Sequence, residues 1–349
     1  MISIKKIQKR EATCVGSGLV ALDVIVNGSP STPAKLCAGG SCGNVLSILA
    51  FLGWDSMPIA RLADNNASEK LFDDFLNIEV NTSLITTSKD GTTPIIIHRI
   101  LKDKEGNPKH KFEFRVPDTN AWLPMYRPVL ASAVNELISL QSECKVFYFD
   151  RVSRSTINLA KYYKSKGALI VFEPSSIKDD KQFVECLDIP HIIKFSSDRI
   201  KNYSDLFPVP IAQLEIETLG KDGLRYRLKS DKNPYWKTIP SFKFEDIKDT
   251  AGAGDWCTAG IINELGFDGL ESFMKSDKSE IERALTIGQV MGGINCSYDG
   301  ARGIMYNMSY QSFIDVAQAI LNQNKKIPTI EQSPIKISSI SNFKFDLIL

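Results

Sequence analysis

Cysteine and histidine are both scarce in this 349-residue chain, and neither is grouped. The seven cysteines form no CxxC pair and only three histidines occur, so the sequence contains no zinc-binding pattern. An odd, scattered set of cysteines is typical of reduced thiols rather than of a disulfide framework. We therefore expect a cytoplasmic protein.

Long apolar runs and an excess of charge are missing as well. No stretch approaches the ~20 apolar residues of a membrane-spanning helix. The N-terminal segment MISIKKIQKREATCV lacks the continuous apolar region of a signal peptide. The 42 basic and 41 acidic residues leave a formal charge of +1. These absences predict neither a membrane partner nor a nucleic-acid partner.

Segments with strand and helix patterns alternate along most of the chain. We expect strands over residues 13–26, 58–62, 146–149, 168–172, 191–195 and 212–218, and helices over 44–52, 68–76 and 156–164. Such alternation is typical of an α/β fold with a mostly parallel sheet and helices on both faces. Ligands bind these sheets beyond the carboxyl ends of the strands, where we expect Asp23, Asp150 and Glu173 to lie.

Two segments depart from this alternation. Residues 93–101 and 109–116 are β-rich and flank the polar turn KDKEGN, which predicts a hairpin in a separate small sheet. The segment FKFDLIL at positions 343–349 alternates and ends apolar. We expect it to add a strand at a sheet edge or at a subunit contact.

The segment DTAGAGDWCTAG, residues 249–260, places small residues directly ahead of Asp255. One interpretation is a loop that caps a helix, which Gly266 would end. The other is an anion site, because bare backbone at a helix start leaves N–H groups free to bind a negative charge. The local pattern alone leaves both interpretations open.

Three further glycine segments each allow two interpretations. AGGSCGN, residues 38–44, is either a turn with an Asn helix cap or a place where a polar ligand meets backbone N–H groups and Asn44. ETLGKDG, residues 217–223, is either a hairpin turn or a strand end that contacts a nucleotide. GSGLVA, residues 16–21, fits a dinucleotide-binding fingerprint, but residues 19–26 continue β-branched where a helix would be needed.

Together these segments resemble the PfkB family of carbohydrate kinases, which has the ribokinase-like fold, over roughly residues 13–320. The C-terminal signature DTxGAGD matches residues 249–255, and the N-terminal signature GGxxxN matches residues 39–44. A TLGxxG element matches residues 218–223, and a terminal GA matches residues 300–301. The resemblance implies one kinase domain over residues 11–325, a β lid from residues 26–38 and 92–117, and a C-terminal extension over 326–349.

The resemblance also implies an activity and a site. Kinases of this family move the γ-phosphoryl group of ATP to a sugar-type hydroxyl in the presence of Mg²⁺. Asp255 matches the general base, and the backbone at Ala251, Gly252, Ala253 and Gly254 matches the anion hole that holds the transferring phosphoryl group. Asp23, Gly39, Gly40 and Asn44 match the contacts to substrate hydroxyls, while Thr218, Gly220, Gly223 and Gln289 match the ATP side. The partners are thus ATP and a sugar-type substrate, with a homodimer through the lid as a further expectation.

Three departures from the family pattern concern charged positions. The NxxE element, which organises Mg²⁺ and phosphate, is replaced by Ser196 and Arg199; Asp198 and Glu173 are weak substitutes as metal-binding acids. The turn that carries two acids in the family reads ADN at residues 63–65, and its DPN reads EPS at residues 173–175. Trp256 is also bulkier than the small residue that usually follows the base.

The sequence leaves open which molecule accepts the phosphoryl group and whether the protein is an active kinase. Arg99 and Arg115 on the lid strands could meet an anionic substrate group, or could be ordinary exposed strand residues. Phe112 and Phe114 could stack on the base of a nucleoside, or could simply line a sheet face. The altered NxxE element also keeps open a catalytically weak protein that binds ligand as a sensor or regulator.

Overall fold

The structure is a computed structural model that describes residues 3–5, 10–27, 32–102, 104, 108–177, 181–323, 328–341 and 343–348. Parts of the expected lid, residues 28–31, 103 and 105–107, lie outside the described residues, as do 324–327, where the expected boundary to the extension falls. The strands are β1 (Thr13–Ser17), β2 (Ala21–Asn27), β3 (Ala34–Gly39), β4 (Asp55–Ala63), β5 (Ile85–Ser88), β6 (Ile95–Lys102), β7 (Pro108–Glu113), β8 (Val146–Phe149), β9 (Leu169–Phe172), β10 (Ile192–Ser196), β11 (Leu214–Thr218), β12 (Leu224–Leu228), β13 (Lys237–Ile239) and β14 (Ser338–Ile340).

Eleven α-helices accompany the strands in the described residues. They are α1 (Ser41–Phe51), α2 (Asn66–Asn77), α3 (Val134–Leu140), α4 (Arg154–Ser165), α5 (Lys181–Leu187), α6 (Tyr203–Leu206), α7 (Ala253–Leu265), α8 (Leu270–Lys275), α9 (Lys278–Asn295), α10 (Gly303–Asn307) and α11 (Tyr310–Leu321). Several begin at a capping side chain; Ser153, for example, accepts the N–H of Thr156 at the start of α4. The predicted helices are thus confirmed, with starts two or three residues earlier than the apolar pattern indicated.

The large sheet has nine strands in the order β13-β12-β11-β10-β9-β8-β1-β4-β5. Strands β11 to β5 of that order run parallel, and β12 runs opposite to its neighbours β11 and β13. Successive side chains along β8 enter different cores: Tyr148 packs with α1, α7 and α9, whereas Phe147 and Phe149 pack with α4. This alternation covers both faces of the sheet with helices, as predicted.

A second sheet of five strands, in the order β14-β3-β2-β6-β7, contains strands from both segments expected as the lid, and it is called the lid below. The predicted hairpin is its antiparallel pair β6 and β7. The single strand expected over residues 13–26 is wrong, because the chain leaves the large sheet after β1 and enters the lid as β2. Leu19 between them donates its N–H to Asp150 Oδ1 at 2.9 Å, which holds the turn. Asp23 therefore lies inside β2 and not at a carboxyl strand end.

The C-terminal segment adds a strand at a sheet edge, as predicted, but the strand is formed by other residues than those predicted. Strand β14 pairs antiparallel with β3 at the edge of the lid. The segment FKFDLIL, predicted as that strand, instead forms a 3-10 turn over Phe345–Leu347. The rings of Phe343 and Phe345 pack edge to face 5.0 Å apart, and Ile348 is fully buried. Packing of these apolar side chains into the core thus outweighs the alternating strand pattern.

Candidate active site

The start of α7 lies beyond the carboxyl ends of the parallel strands and is shaped by a tight turn. Gly252 has φ +76°, and a Cβ there would lie 2.1 Å from the carbonyl oxygen of Ala301. Only glycine fits this position. The buried Asp249 carboxylate holds the turn, since Oδ1 accepts the N–H of Ala251 at 3.0 Å and Oδ2 that of Gly300 at 2.9 Å. The backbone at 251–255 is therefore fixed at a helix N-terminus, which favours an anion.

Asp255 stands in the first turn of α7 beside Asn44 in the first turn of α1. Asn44 donates its Nδ2–H to Asp255 Oδ2 at 2.7 Å, while its own Oδ1 is buried without a partner. Burial, helped by the negative charge of Glu173, raises the pKa of Asp255 to about 7. A carboxylate with that pKa can exchange protons near neutral pH.

Glu173, which follows β9, lies beneath the first turn of α7. Its Oε1 accepts a hydrogen bond from Lys194 Nζ at 2.7 Å, and its Oε2 one from Thr258 Oγ1 at 2.6 Å. Lys194 is buried and also donates to the carbonyl of Gly254 at 3.1 Å. Burial opposes the ammonium form, but the nearby Glu173, Cys257 and Asp255 together outweigh it and raise the pKa of Lys194. This ion pair anchors the start of α7 to strands β9 and β10.

Asp23 and the Gly39–Gly40 pair form the lid side of the site. A Cβ on Gly39 would lie 2.1 Å from Asp23 Oδ2, so the absent side chain leaves room for this carboxylate. Asp23 Oδ1 is buried and has no partner among the described residues. Burial raises the pKa of Asp23 to about 6, against the opposing effect of His98. Gly40 follows at the start of α1, which carries Asn44.

Two lid histidines belong to this group although the sequence analysis did not select them. His98 Nε2 lies 3.2 Å from Asp249 Oδ2, and both side chains are buried. His110 Nδ1 lies 3.6 Å from Asp249 Oδ1 and 3.1 Å from Thr250 Oγ1. Two of the chain's three histidines thus dock the lid onto the turn before α7. The sequence signal for these two histidines was the strand pattern of residues 93–101 and 109–116, and that pattern does not show which residues the lid contacts.

The structure does not bring Arg99 to this group. Side chains alternate along a strand, and His98 points to Asp249, so Arg99 points to the other face of the lid. There its Nε donates to Glu113 Oε2 at 2.7 Å. The interpretation as an ordinary strand arginine, already open from the sequence, fits this ion pair.

The residues expected on the ATP side lie at the ends of β11 and along α9. Thr218 ends β11, and Gly220 and Gly223 form the turn to β12 with φ of +59° and +102°. Gln289 is half-buried on α9, and its Nε2 has no partner among the described residues. This free amide donor is suited to the edge of a heterocyclic base.

The acids considered for a metal are not arranged around one. Glu173 is already bonded to Lys194 and Thr258, while Asp198 lies on the exposed turn after β10. Within the described residues no three His, Cys, Asp or Glu side chains are grouped to hold a metal ion. The described residues therefore do not fit a magnesium ion held by a cluster of protein ligands.

Trp256, which directly follows Asp255, packs in the core and holds α7 in place. It is fully buried, and its Nε1–H donates to the carbonyl of Ala301 at 3.1 Å. Its ring packs against Phe313, with centroids 5.1 Å apart. The indole thus links α7 to the same carbonyl that faces Gly252.

Among the helices that the structure describes, none combines the length and apolar character that crossing a membrane requires.

Comparisons with known proteins agree with this architecture. No family model matches the chain. Probable fructokinase-7 of Arabidopsis thaliana is 24% identical over 343 residues, which cover 89% of this chain and 92% of that protein. The crystal structure of fructokinase with bound ATP from Xylella fastidiosa superposes with a TM-score of 0.65 at 15% identity, covering 90% of this chain and 99% of that one.

A nucleoside kinase is similarly close in structure. The Burkholderia thailandensis enzyme in complex with inosine has a TM-score of 0.64 at 16% identity, covering 92% of this chain and 99% of that one. Likenesses at this identity establish the fold, and the curated relative extends the match to sequence. The chain has the ribokinase-like fold and is similar in sequence to a probable fructokinase, which agrees with the kinase signatures at residues 39–44 and 249–255.

Proposed function

We propose that this protein is an ATP-dependent kinase that transfers the γ-phosphoryl group of ATP to a hydroxyl of a sugar-type acceptor. The observation that supports this most directly is the placement of Asp255 in the first turn of α7, directly after the fixed backbone at 251–254. A base and an anion hole on one rigid element meet the main demands of phosphoryl transfer, which are positioning and charge stabilisation.

Asp255 is the general base in this proposal. The acceptor hydroxyl oxygen attacks the γ-phosphorus, the bond to the β–γ bridging oxygen breaks, and ADP leaves. Asp255 takes the hydroxyl proton as the new bond forms. Its raised pKa, about 7, makes the carboxylate a stronger base than an exposed aspartate while leaving it largely ionised above neutral pH.

Two unpartnered oxygens support a polyhydroxyl acceptor. Asp23 Oδ1 and Asn44 Oδ1 are buried without hydrogen-bond donors, and each such atom carries a desolvation penalty until it is satisfied. Hydroxyl groups of a sugar can supply those donors. Because Asn44 also donates to Asp255, a hydroxyl bound by Asn44 would be close to the base.

The lid would close the acceptor site from water, which would otherwise compete as phosphoryl acceptor. Its docking through His98 and His110 onto Asp249 and Thr250 supports that role, since the lid then meets the anion hole directly. On the other side Thr218, Gly220, Gly223 and Gln289 would border ATP. Mg²⁺, which supplies charge neutralisation in such kinases, would be held by the phosphates of ATP, because the described residues offer no ligand cluster.

A nucleoside acceptor is the second candidate. The ring of Phe112 is 40% exposed and lies on the same lid face as His98, with the two centroids 5.0 Å apart. An exposed aromatic ring beside the acceptor side could stack on a base. The remaining alternative, a sensor that binds ligand without turnover, is disfavoured because Asp255 and the anion hole are both intact.

The decisive experiment measures ATP consumption by the purified protein against fructose, other hexoses, ribose and a set of nucleosides including inosine. We expect turnover with at least one acceptor, and the Asp255→Asn variant should lower kcat by roughly 10²–10⁴-fold. The affinities of this variant for ATP and acceptor should stay within several-fold of wild type. Saturable acceptor binding without ATP consumption in every case would instead support the sensor.

A further inference from the structure

One arginine, in the turn after β10, differs from several others in the chain. Arg151, Arg302 and Arg99 are each paired with a carboxylate, at 2.7, 2.6 and 2.7 Å. Arg199 is exposed, and its side chain makes no hydrogen bond or ion pair within the described part of the chain. A charged group that is left free at the edge of a crevice is available for a ligand.

The backbone fixes where Arg199 begins. It lies in the turn after β10, where its N–H bonds to the carbonyl of Ser196 at 3.1 Å, and the next residue, Ile200, is buried. Two residues before the end of β10, Lys194 reaches the carbonyl of Gly254 in the anion hole. The carboxyl end of β10 therefore lies beneath the first turn of α7, and Arg199 continues from that end.

The charge of Arg199 affects the pKa values of three groups around the proposed site. Burial raises the pKa of Asp255 and that of Asp150, which follows β8, and the charge of Arg199 opposes this effect on both groups. This charge also contributes, after burial, to the lowered pKa of His110 on the lid. The guanidinium is therefore close enough to groups on α7, on the sheet and on the lid to affect all three, which agrees with its place in the turn after β10.

We propose that Arg199 is a catalytic residue that binds the transferring phosphoryl group together with the backbone of residues 251–255. The inference rests on the proposed kinase function. A guanidinium offers two parallel N–H donors to a phosphate and keeps its proton throughout, so it stabilises charge while Asp255 alone accepts the proton. It stands where the resemblance expects a carboxylate that organises metal, and the described residues do not fit a protein-held metal. A positive side chain here neutralises phosphate charge directly.

The test compares Arg199→Gln, Arg199→Lys and Arg199→Glu with wild type. We expect Gln to lower kcat by roughly 10²–10³-fold, Lys to lose less, and Glu to be the weakest of the three because it repels phosphate. Arg154→Gln is the matched control, since Arg154 pairs with Glu185 on the surface and should leave kcat unchanged. Added guanidinium should partly restore turnover in Arg199→Ala.

A binding measurement separates this inference from the proposed function. Calorimetry with ATP and with ADP should show that Arg199→Gln weakens ATP binding by about tenfold more than ADP binding, and this readout holds even if no acceptor supports turnover. The inference is overturned if the Gln variant keeps kcat within about threefold and an unchanged ATP-to-ADP affinity ratio. It is equally overturned if Arg199→Glu turns over at the wild-type rate, since a metal-organising carboxylate would then serve at this position.

Discussion

At the scale of single residues, the chemistry of Asp255 depends on neighbours that are distant in sequence. Burial raises its pKa, the negative charge of Glu173 adds to that effect, and the Asn44 hydrogen bond partly opposes it. These partners come from the end of β9 and the start of α1. The sequence could indicate Asp255 as a base, but its proton affinity follows from the assembled site.

The pH dependence of the reaction should report this environment. A general base must be ionised, so kcat/KM should fall as the pH drops below about 7, the pKa of Asp255. Glu173→Gln removes a negative charge that raises this pKa, so the midpoint of the acid limb should move to lower pH. The value of kcat/KM would be measured from pH 5 to 9 for both proteins, and each profile would be divided by its own maximum.

A surface substitution supplies the control for that shift. Glu185→Gln also removes a carboxylate, but Glu185 lies on the surface with Arg154 and Lys161 and should leave the midpoint unchanged. If the midpoint of the fall in kcat/KM at low pH were the same in Glu173→Gln as in wild type, a group other than Asp255 would govern the rate. The same conclusion would follow if the midpoint moved to higher pH.

At the scale of elements, the start of α7 contains two glycines with different requirements. Gly252 has a positive φ and meets the Ala301 carbonyl, whereas a Cβ on Gly254 would have its nearest neighbours 3.8 Å away, at Glu173 and Lys194. The first glycine is demanded by the fold of the turn, and the second is compatible with alanine. Sequence alone treats them as equal members of one motif.

Gly252→Ala and Gly254→Ala form a matched pair that tests this difference. Gly252→Ala should lower the free energy of unfolding by about 1–3 kcal/mol, because the backbone is strained and the methyl group meets a carbonyl. Gly254→Ala should be as stable as wild type or more so by up to ~1 kcal/mol, as expected for alanine in a helix. Denaturant unfolding checks both values, and turnover should fall at least tenfold further in Gly252→Ala. Equal stabilities would contradict the account of the turn.

The elements also show how far the sequence can predict this protein. Periodicity and capping residues located α1, α4, α7, β8 and the hairpin to within a few residues, because those signals are local. The break between β1 and β2 escaped prediction because Asp150, far along the chain, holds the turn at Leu19. His98 and His110 escaped for the same reason, since their role depends on the docking of the lid onto Asp249.

At the scale of the whole molecule, the C-terminal segment returns to complete the lid. Strand β14 covers the edge of β3, Ser333 bonds to the carbonyl of Met305, and Ile348 is buried in the main core. Dimerisation through the lid remains a prediction. Strand β14 already covers the edge of β3, and β7 is the last strand at the opposite end of the lid sheet. A strand of a second subunit would therefore pair with β7.

Two truncations separate the contributions of this segment. A chain ending at residue 341 keeps β14 but loses Phe343, Phe345 and Ile348 from the core, and should lose at least the roughly 1.5–3 kcal/mol of unfolding free energy that one buried isoleucine contributes. A chain ending at Lys326 also uncovers the β3 edge of the lid. It should lose more stability and self-associate, because an exposed strand edge pairs with other chains. Chemical unfolding and light scattering measure the two effects. If the shorter chain kept wild-type stability and oligomeric state, β14 would contribute nothing to the lid; if both truncations self-associated equally, the β3 edge would not be the cause.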